Sequence, residues 1–275
     1  MAASERPAMA VPATATRRCK HGFFMYPRGD VYVGRCLELY GEYSEGEVAL
    51  FSQLVPQGGT VVEVGANIGA LTVPLAHMTG PQGRVIAFEP QRPIFNVLCA
   101  NLALNGLIHV EAVRAAVGAG TGQVEVPLLA YEDRSNFGGV SVGHAGQRAS
   151  EMVPVLPLDG LKLSRLDFIK IDVEGFETDV VAGASSVIRQ FRPALFVEND
   201  RKEHSPRLIS MIQELGYKLW WHFSPLFRPE NFNGNPENVV GRIISINMLA
   251  LPEERATNVQ GLRPVSGPDD WWKAE

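Results

Sequence analysis

The sequence predicts an α/β fold: a mostly parallel sheet of seven strands that ends in an antiparallel pair, with helices on both faces. Three observations predict it. Between about residues 60 and 215, short apolar runs alternate with helix-length segments, as parallel strands with right-handed crossovers require. Residues 60–72 pass from strand-favouring residues through Gly65 and Gly69 into an apolar helical run. That is the strand–turn–helix at which such sheets bring bare backbone to a ligand. Finally, residues 217–223 and 243–251 are strand-like with only a Pro/Asn/Gly-rich linker between them, so they should pair antiparallel.

Composition narrows the class. At 275 residues the chain is long enough for one large α/β domain and an extension. Hydrophobic residues make up 45% and charged residues 20%, ordinary for a soluble globular protein. A net charge of −5 without any Lys/Arg run argues against a general nucleic-acid or anionic-membrane binder. Cys19, Cys36 and Cys99 are odd in number and lack a C-x-x-C pair. They fit a reducing compartment, and neither a disulfide framework nor a zinc site. No apolar run reaches the roughly 18 residues that span a bilayer. A soluble cytoplasmic protein is expected.

Taken in order, residues 1–18 read as a disordered tail, 19–57 as a lead-in and lid, 58–252 as the main domain and 253–275 as a second tail. In the lead-in, residues 23–26 and 31–33 look like two short strands around Pro27-Arg-Gly-Asp30. Ser44-Glu-Gly-Glu47 has the spacing of a capping box and should open a helix that stops at Pro56. Residues 84–88 form the second strand, ending at Glu89-Pro90, and 93–104 a helix closed by Asn105-Gly106. Residues 109–113 form the third, followed by Ala115, Ala116 and Val117. Residues 118–157 read as an insertion of two strands around a Gly/Ser-rich loop that holds Asn136-Phe-Gly-Gly139. The fourth strand, 166–171, leads into Asp172-Val-Glu-Gly-Phe-Glu177 and a helix. The fifth, 194–197, ends at Glu198-Asn-Asp200, before a helix over 205–215. Trp271-Trp272 offers a docking point in the tail.

The chemistry gathers at strand ends. A dinucleotide turn wants G-x-G-x-x-G. Here Glu63-Val-Gly-Ala-Asn-Ile-Gly69 is one glycine short and carries an acid. A carboxylate repels a pyrophosphate but suits a ligand with an amine, such as S-adenosyl-L-methionine. Glu89 lies twenty residues beyond Gly69, where a strand-end acid accepts both ribose hydroxyls. Asp172, Glu174 and Glu198 end neighbouring strands. They could hold sugar hydroxyls, serve as general base or bind a divalent cation through oxygen. His204 and His222 are the other base candidates. Lys170 shares a strand face with Asp172 and could pair with it, while Glu177 and Asp179 read as solvated helix charges. Phe227 to Phe232, Trp220 and Trp221 could wall the acceptor.

With these features, Glu38-Leu-Tyr-Gly-Glu-Tyr-Ser-Glu-Gly-Glu47, Val62-Glu-Val-Gly-Ala-Asn-Ile-Gly69, Phe88-Glu-Pro90 and Ile169-Lys-Ile-Asp-Val-Glu-Gly-Phe-Glu177 resemble the FkbM family of Rossmann-like class I methyltransferases. The resemblance covers roughly residues 31–252, and the block from Ile169 to Glu177 is its most specific part. It implies O-methylation of a sugar, glycan or natural-product hydroxyl with S-adenosyl-L-methionine as cofactor. It places the cofactor over Gly65, Asn67 and Gly69, with Glu63, Glu89, Pro90, Ala116 and Asp172 around it, and closes Tyr40, Tyr43 and Ser44 over its methionine part. No dedicated metal site is assigned. An NAD(P)-dependent oxidoreductase and a non-catalytic cofactor-binding scaffold stand as alternatives.

Overall fold

The computed structural model describes residues 12–139, 149–256 and 259–273. The chain opens with strands β1 (Thr14–Cys19) and β2 (Gly22–Pro27), then helices α1 (Val33–Tyr40) and α2 (Glu45–Leu54). The main domain follows as β3 (Thr60–Val64), α3 (Thr72–Thr79), β4 (Arg84–Phe88), α4 (Arg92–Leu104) and β5 (Val110–Val113). The insertion contributes β6 (Ala116–Val117), β7 (Gly122–Pro127) and β8 (Ser150–Leu156). Next come β9 (Phe168–Ile171), α5 (Glu177–Gly183), α6 (Ser185–Phe191), β10 (Ala194–Glu198) and α7 (Ser205–Glu214). Strands β11 (Tyr217–Pro225), β12 (Ile244–Pro252) and β13 (Arg263–Pro264) close the chain.

The central sheet has the order β13-β11-β12-β10-β9-β3-β4-β5. The five strands from β10 to β5 run parallel, and β12 pairs antiparallel with both β10 and β11. This is the expected sheet, extended by the two-residue β13. Alternation along each strand divides the core between two faces. Val61, Phe168 and Phe196 pack with Phe51, Val73 and Leu98 on one face. Val62, Ile169 and Leu195 pack with Val180, Ile188 and Leu208 on the other. With helices on both faces, the carboxyl ends of the parallel strands form the crevice where such sheets hold ligands. The insertion is a separate three-stranded sheet, β6-β8-β7.

The lead-in departs from expectation. Residues 31–33 form no strand; β2 pairs instead with β1, so residues 14–18 are strand rather than tail. Residues 1–11 lie outside the described residues. The reason for the helix is Asp30: its buried carboxylate accepts the Tyr32 and Gly34 N–H groups, each at 3.0 Å, and so turns the chain into α1. Ser44 forms no capping box. It sits at φ 46° and donates its hydroxyl to Ser224 Oγ at 3.2 Å. The second tail docks as well: β13 pairs with β11, and Trp271 meets Trp221 edge-on at 6.0 Å between ring centres.

Candidate active site

A cavity of about 380 Å³ opens over the carboxyl ends of β3, β4, β9 and β10, within the size range of small-molecule sites. Its first half is built on the turn after β3. Gly65 and Ala66 both donate their N–H to Phe88 O, at 3.0 and 2.9 Å, which ties the turn to the end of β4. Gly65 has φ +81°, and a Cβ there would lie 1.8 Å from Asp172 O. Only glycine lets the β3 turn and the β9 loop approach so closely. Gly69, at φ +85°, packs beneath the turn, where a Cβ would meet Leu98 Cδ1 at 2.8 Å.

Glu89 follows β4 and is 3% exposed. Its Oε2 accepts the Asn67 N–H and its Oε1 the Gln91 N–H, both at 2.9 Å. Burial nevertheless pushes its carboxyl up to about 7. Tyr43, Asn67, Pro90 and Ala116 line the same half.

The second half is acidic. Asp172, Glu174, Glu198 and Asp200 line it, with Asn247 of β12 beside them. Asp172 accepts from Lys170 Nζ at 3.0 Å, the pair foreseen from their shared strand face. Glu174 sits at φ 56°, a strained conformation for a residue with a Cβ, and pairs with Arg201 at 2.8 Å. Burial, with Asp172 nearby, raises Glu174 to about 7. Glu198 Oε2 is buried and has no hydrogen-bond partner among the described residues. Burial and the neighbouring acids Asp172 and Glu174 hold its carboxyl well above the usual range. Among the described residues no group of three or more His, Cys, Asp or Glu is arranged to hold a metal ion.

Several residues named from the sequence lie elsewhere. Glu63 does not line the cavity; it stands opposite Lys170 in the sheet register, two residues before the Gly65 turn. It is fully buried, accepts Thr72 Oγ1 at 2.6 Å and lies 3.9 Å from Lys170 Nζ. Tyr40 is also fully buried. Its hydroxyl donates to Glu237 O at 3.1 Å and accepts the Val239 N–H at 2.9 Å, so it pegs the loop before β12 instead of closing the cavity. Ser44 is held by Ser224, as described. His204 is exposed at the start of α7. His222 is buried against Phe196, 5.4 Å between ring centres, and desolvation lowers its basicity. Trp220 and Trp221 are buried in packing. Glu177 is no solvated helix charge; it is buried and accepts the Gly175 N–H at 3.0 Å, which braces the loop carrying Glu174. Asp179 is exposed as expected.

Sequence reasoning missed Tyr32, Gln91, Asp200, Ser245 and Asn247 as cavity residues. Asp200 had a signal, two residues beyond Glu198 at the same strand end. Asn247 had none, since it arrives by standing opposite Glu198 in the antiparallel register. Asn136, Gly138 and Gly139 of the insertion loop also line the cavity.

The chain is similar in sequence to known proteins. Methyltransferase sdnD of Sordaria araneosa is 25% identical over 197 residues, 60% of this chain and 76% of that protein. Methyltransferase 1 of Beauveria bassiana is 28% identical over 148 residues, and the match spans only 59% of that protein's length. Part of the AMB antimetabolite synthetase AmbE of Pseudomonas aeruginosa, 9% of its length, is 26% identical over 190 residues. Among solved structures, the FkbM methyltransferase of Methylobacillus flagellatus KT aligns with a TM-score of 0.44 and 17% identity, over 70% of this chain and 44% of that one. The methyltransferase FkbM domain matches residues 63–219, more than half of the chain. The chain belongs to the FkbM methyltransferase family.

Proposed function

We propose that the chain is an S-adenosylmethionine-dependent O-methyltransferase acting on a hydroxyl of a sugar, glycan or natural-product acceptor. One observation carries the reading: a single cavity joins a backbone-built half around Gly65 and Glu89 to an acidic half around Asp172, Glu174 and Glu198. The first half fits the cofactor. Glu89 spends one lone pair of each oxygen on backbone N–H groups and keeps the others for ribose hydroxyls. The N–H groups from Gly65 to Gly69 are all engaged within the protein, so the turn offers the methionine part close approach without a side chain at Gly65, beside Tyr43. The natural-product acceptor draws support from the similarity to part of an antimetabolite synthetase.

What the cofactor supplies when bound is a methyl carbon on a sulfonium, open to in-line displacement by an acceptor oxygen. Glu174 takes the proton of that hydroxyl. It lies in the acidic half with a carboxyl raised to about 7, where a general base works near neutrality. Arg201, 2.8 Å away, orients it. Asp172, fixed by Lys170, holds the acceptor's neighbouring hydroxyls as a hydrogen-bond acceptor.

Calorimetry with S-adenosylhomocysteine and with NADH tests the cofactor. S-adenosylhomocysteine should bind and NADH should not; tight binding of NADH alone would overturn the reading. Transfer of a labelled methyl group to a panel of sugars tests the reaction, and label found on nitrogen or carbon instead of oxygen would refute O-methylation.

A further inference from the structure

The ionisable groups that line the cavity are all of one sign. Glu89 stands in the first half, and Asp172, Glu174, Glu198 and Asp200 in the second; among the described residues no lysine or arginine lines the cavity. The nearby cations, Lys170 and Arg201, are engaged by these acids. Lys170 holds Asp172 at 3.0 Å, and Arg201 holds Glu174 at 2.8 Å and Asp200 at 3.7 Å. Glu198 has no such partner, and its buried Oε2 lacks any hydrogen bond among the described residues. A buried, unpaired carboxyl oxygen is costly unless a ligand completes it.

Position narrows what that ligand is. β10, which carries Glu198 and leads into Asp200, lies two strands from β3 in the sheet. At the usual strand spacing that is about 10 Å from the cofactor turn. Glu198 and Asp200 therefore face whatever shares the cavity with the cofactor. A neutral polyol would give Glu198 a hydrogen bond but leave the acids repelling one another. An anionic acceptor would add to the repulsion. A protonated amine does both jobs, donating charge-assisted hydrogen bonds and offsetting the like charges.

We propose that the acceptor carries a protonated amino group beside the hydroxyl that is methylated, and that Glu198 and Asp200 hold this ammonium. The proposal rests on reading the cavity as an O-methyltransferase site. Protonation also withdraws the nitrogen lone pair, so the amine does not compete with the hydroxyl for the methyl group.

The test uses the full chain loaded with S-adenosylhomocysteine and titrated with glucosamine, N-acetylglucosamine and glucuronic acid. Glucosamine should bind at least about tenfold more tightly than N-acetylglucosamine, as one charge-assisted contact allows, and glucuronic acid most weakly. In the double variant Glu198→Gln, Asp200→Asn this preference should fall towards one while S-adenosylhomocysteine still binds. Should the double variant fail to fold, Asp200→Asn alone, at an exposed position, should already reduce it. Glucosamine binding that is undetectable or no tighter than that of N-acetylglucosamine overturns the proposal, as does a preference that survives the substitutions. Failure of S-adenosylhomocysteine to bind would sink the cofactor reading instead.

Discussion

The two halves of the cavity solve the placement of a carboxyl group in opposite ways. Over β3 and β4, Glu89 has both oxygens bonded to backbone N–H groups two and twenty-two residues away, so its position is set by the turn and strand themselves. Over β9 and β10, the acids depend on side chains or on nothing. Asp172 leans on Lys170, Glu174 on Arg201, and Glu198 Oε2 has no hydrogen-bond partner among the described residues. The first half is preorganised before any ligand arrives; the second is left to be completed by one. That difference suits the proposed division between an unchanging cofactor and a variable acceptor.

The sharpest way to break this contrast is Lys170→Met. Lys170 is 2% exposed and contacts Asp172 and Glu63, so it joins the floor of one half to the strand under the other. Removing it strands the buried Glu63 carboxylate and should cost about 3–5 kcal/mol near pH 8. The sign of the pH effect follows from Glu63, which burial already raises to about 7. A raised carboxyl keeps a proton in the folded state that the unfolded chain releases, so its contribution to stability falls as pH rises from about 4.5 to about 7. Without the ammonium the Glu63 carboxyl is raised further, and that fall extends to higher pH. Urea unfolding near pH 5.5 and pH 8 should show the deficit shrinking at the lower pH, and an equal deficit at both would remove Lys170 as the counter-ion.

Glu174→Gln probes the acidic half alone. Turnover should drop about 100-fold, while S-adenosylhomocysteine affinity stays within about twofold by calorimetry. Wild-type turnover should rise as pH passes about 7, the point at which Glu174 becomes able to accept a proton. A flat profile across that range would take the base role from it.

Glu89→Ala probes the other half. Cofactor affinity should fall about tenfold to a hundredfold, since hydrogen bonds to a charged acceptor are lost; an unchanged dissociation constant would exclude the ribose role. The smallest effect is expected from Tyr40→Phe, which deletes the peg between α1 and the loop before β12 at a cost of about 1 kcal/mol. It should raise the acceptor KM and leave S-adenosylhomocysteine binding alone. Weakened cofactor binding would return Tyr40 to the role the family resemblance gave it.

The first half was legible because its parts are close in sequence. Gly65 and Gly69 announce a turn that needs positive φ, and Glu89 follows at the strand end one unit later. Position alone did not show what Glu63 touches: it stands opposite Lys170 in the register, and its carboxyl accepts from Thr72 and lies 3.9 Å from the Lys170 ammonium. The lead-in failed because a buried side chain, Asp30, supplied the helix start that local pattern did not show.

By itself the sequence determined the sheet, its parallel run, the closing antiparallel pair and the glycine turn, because apolar periodicity and glycine placement are local consequences of backbone sterics and burial. Only the tertiary structure decided which acids meet. Asn247 stands beside Glu198 through a strand register, Asp172 crosses the β3 turn through a gap only Gly65 permits, and Tyr40 finds its partners 197 and 199 residues away. Contacts of that separation come from packing of the whole sheet and its loops, and no window of sequence contains them.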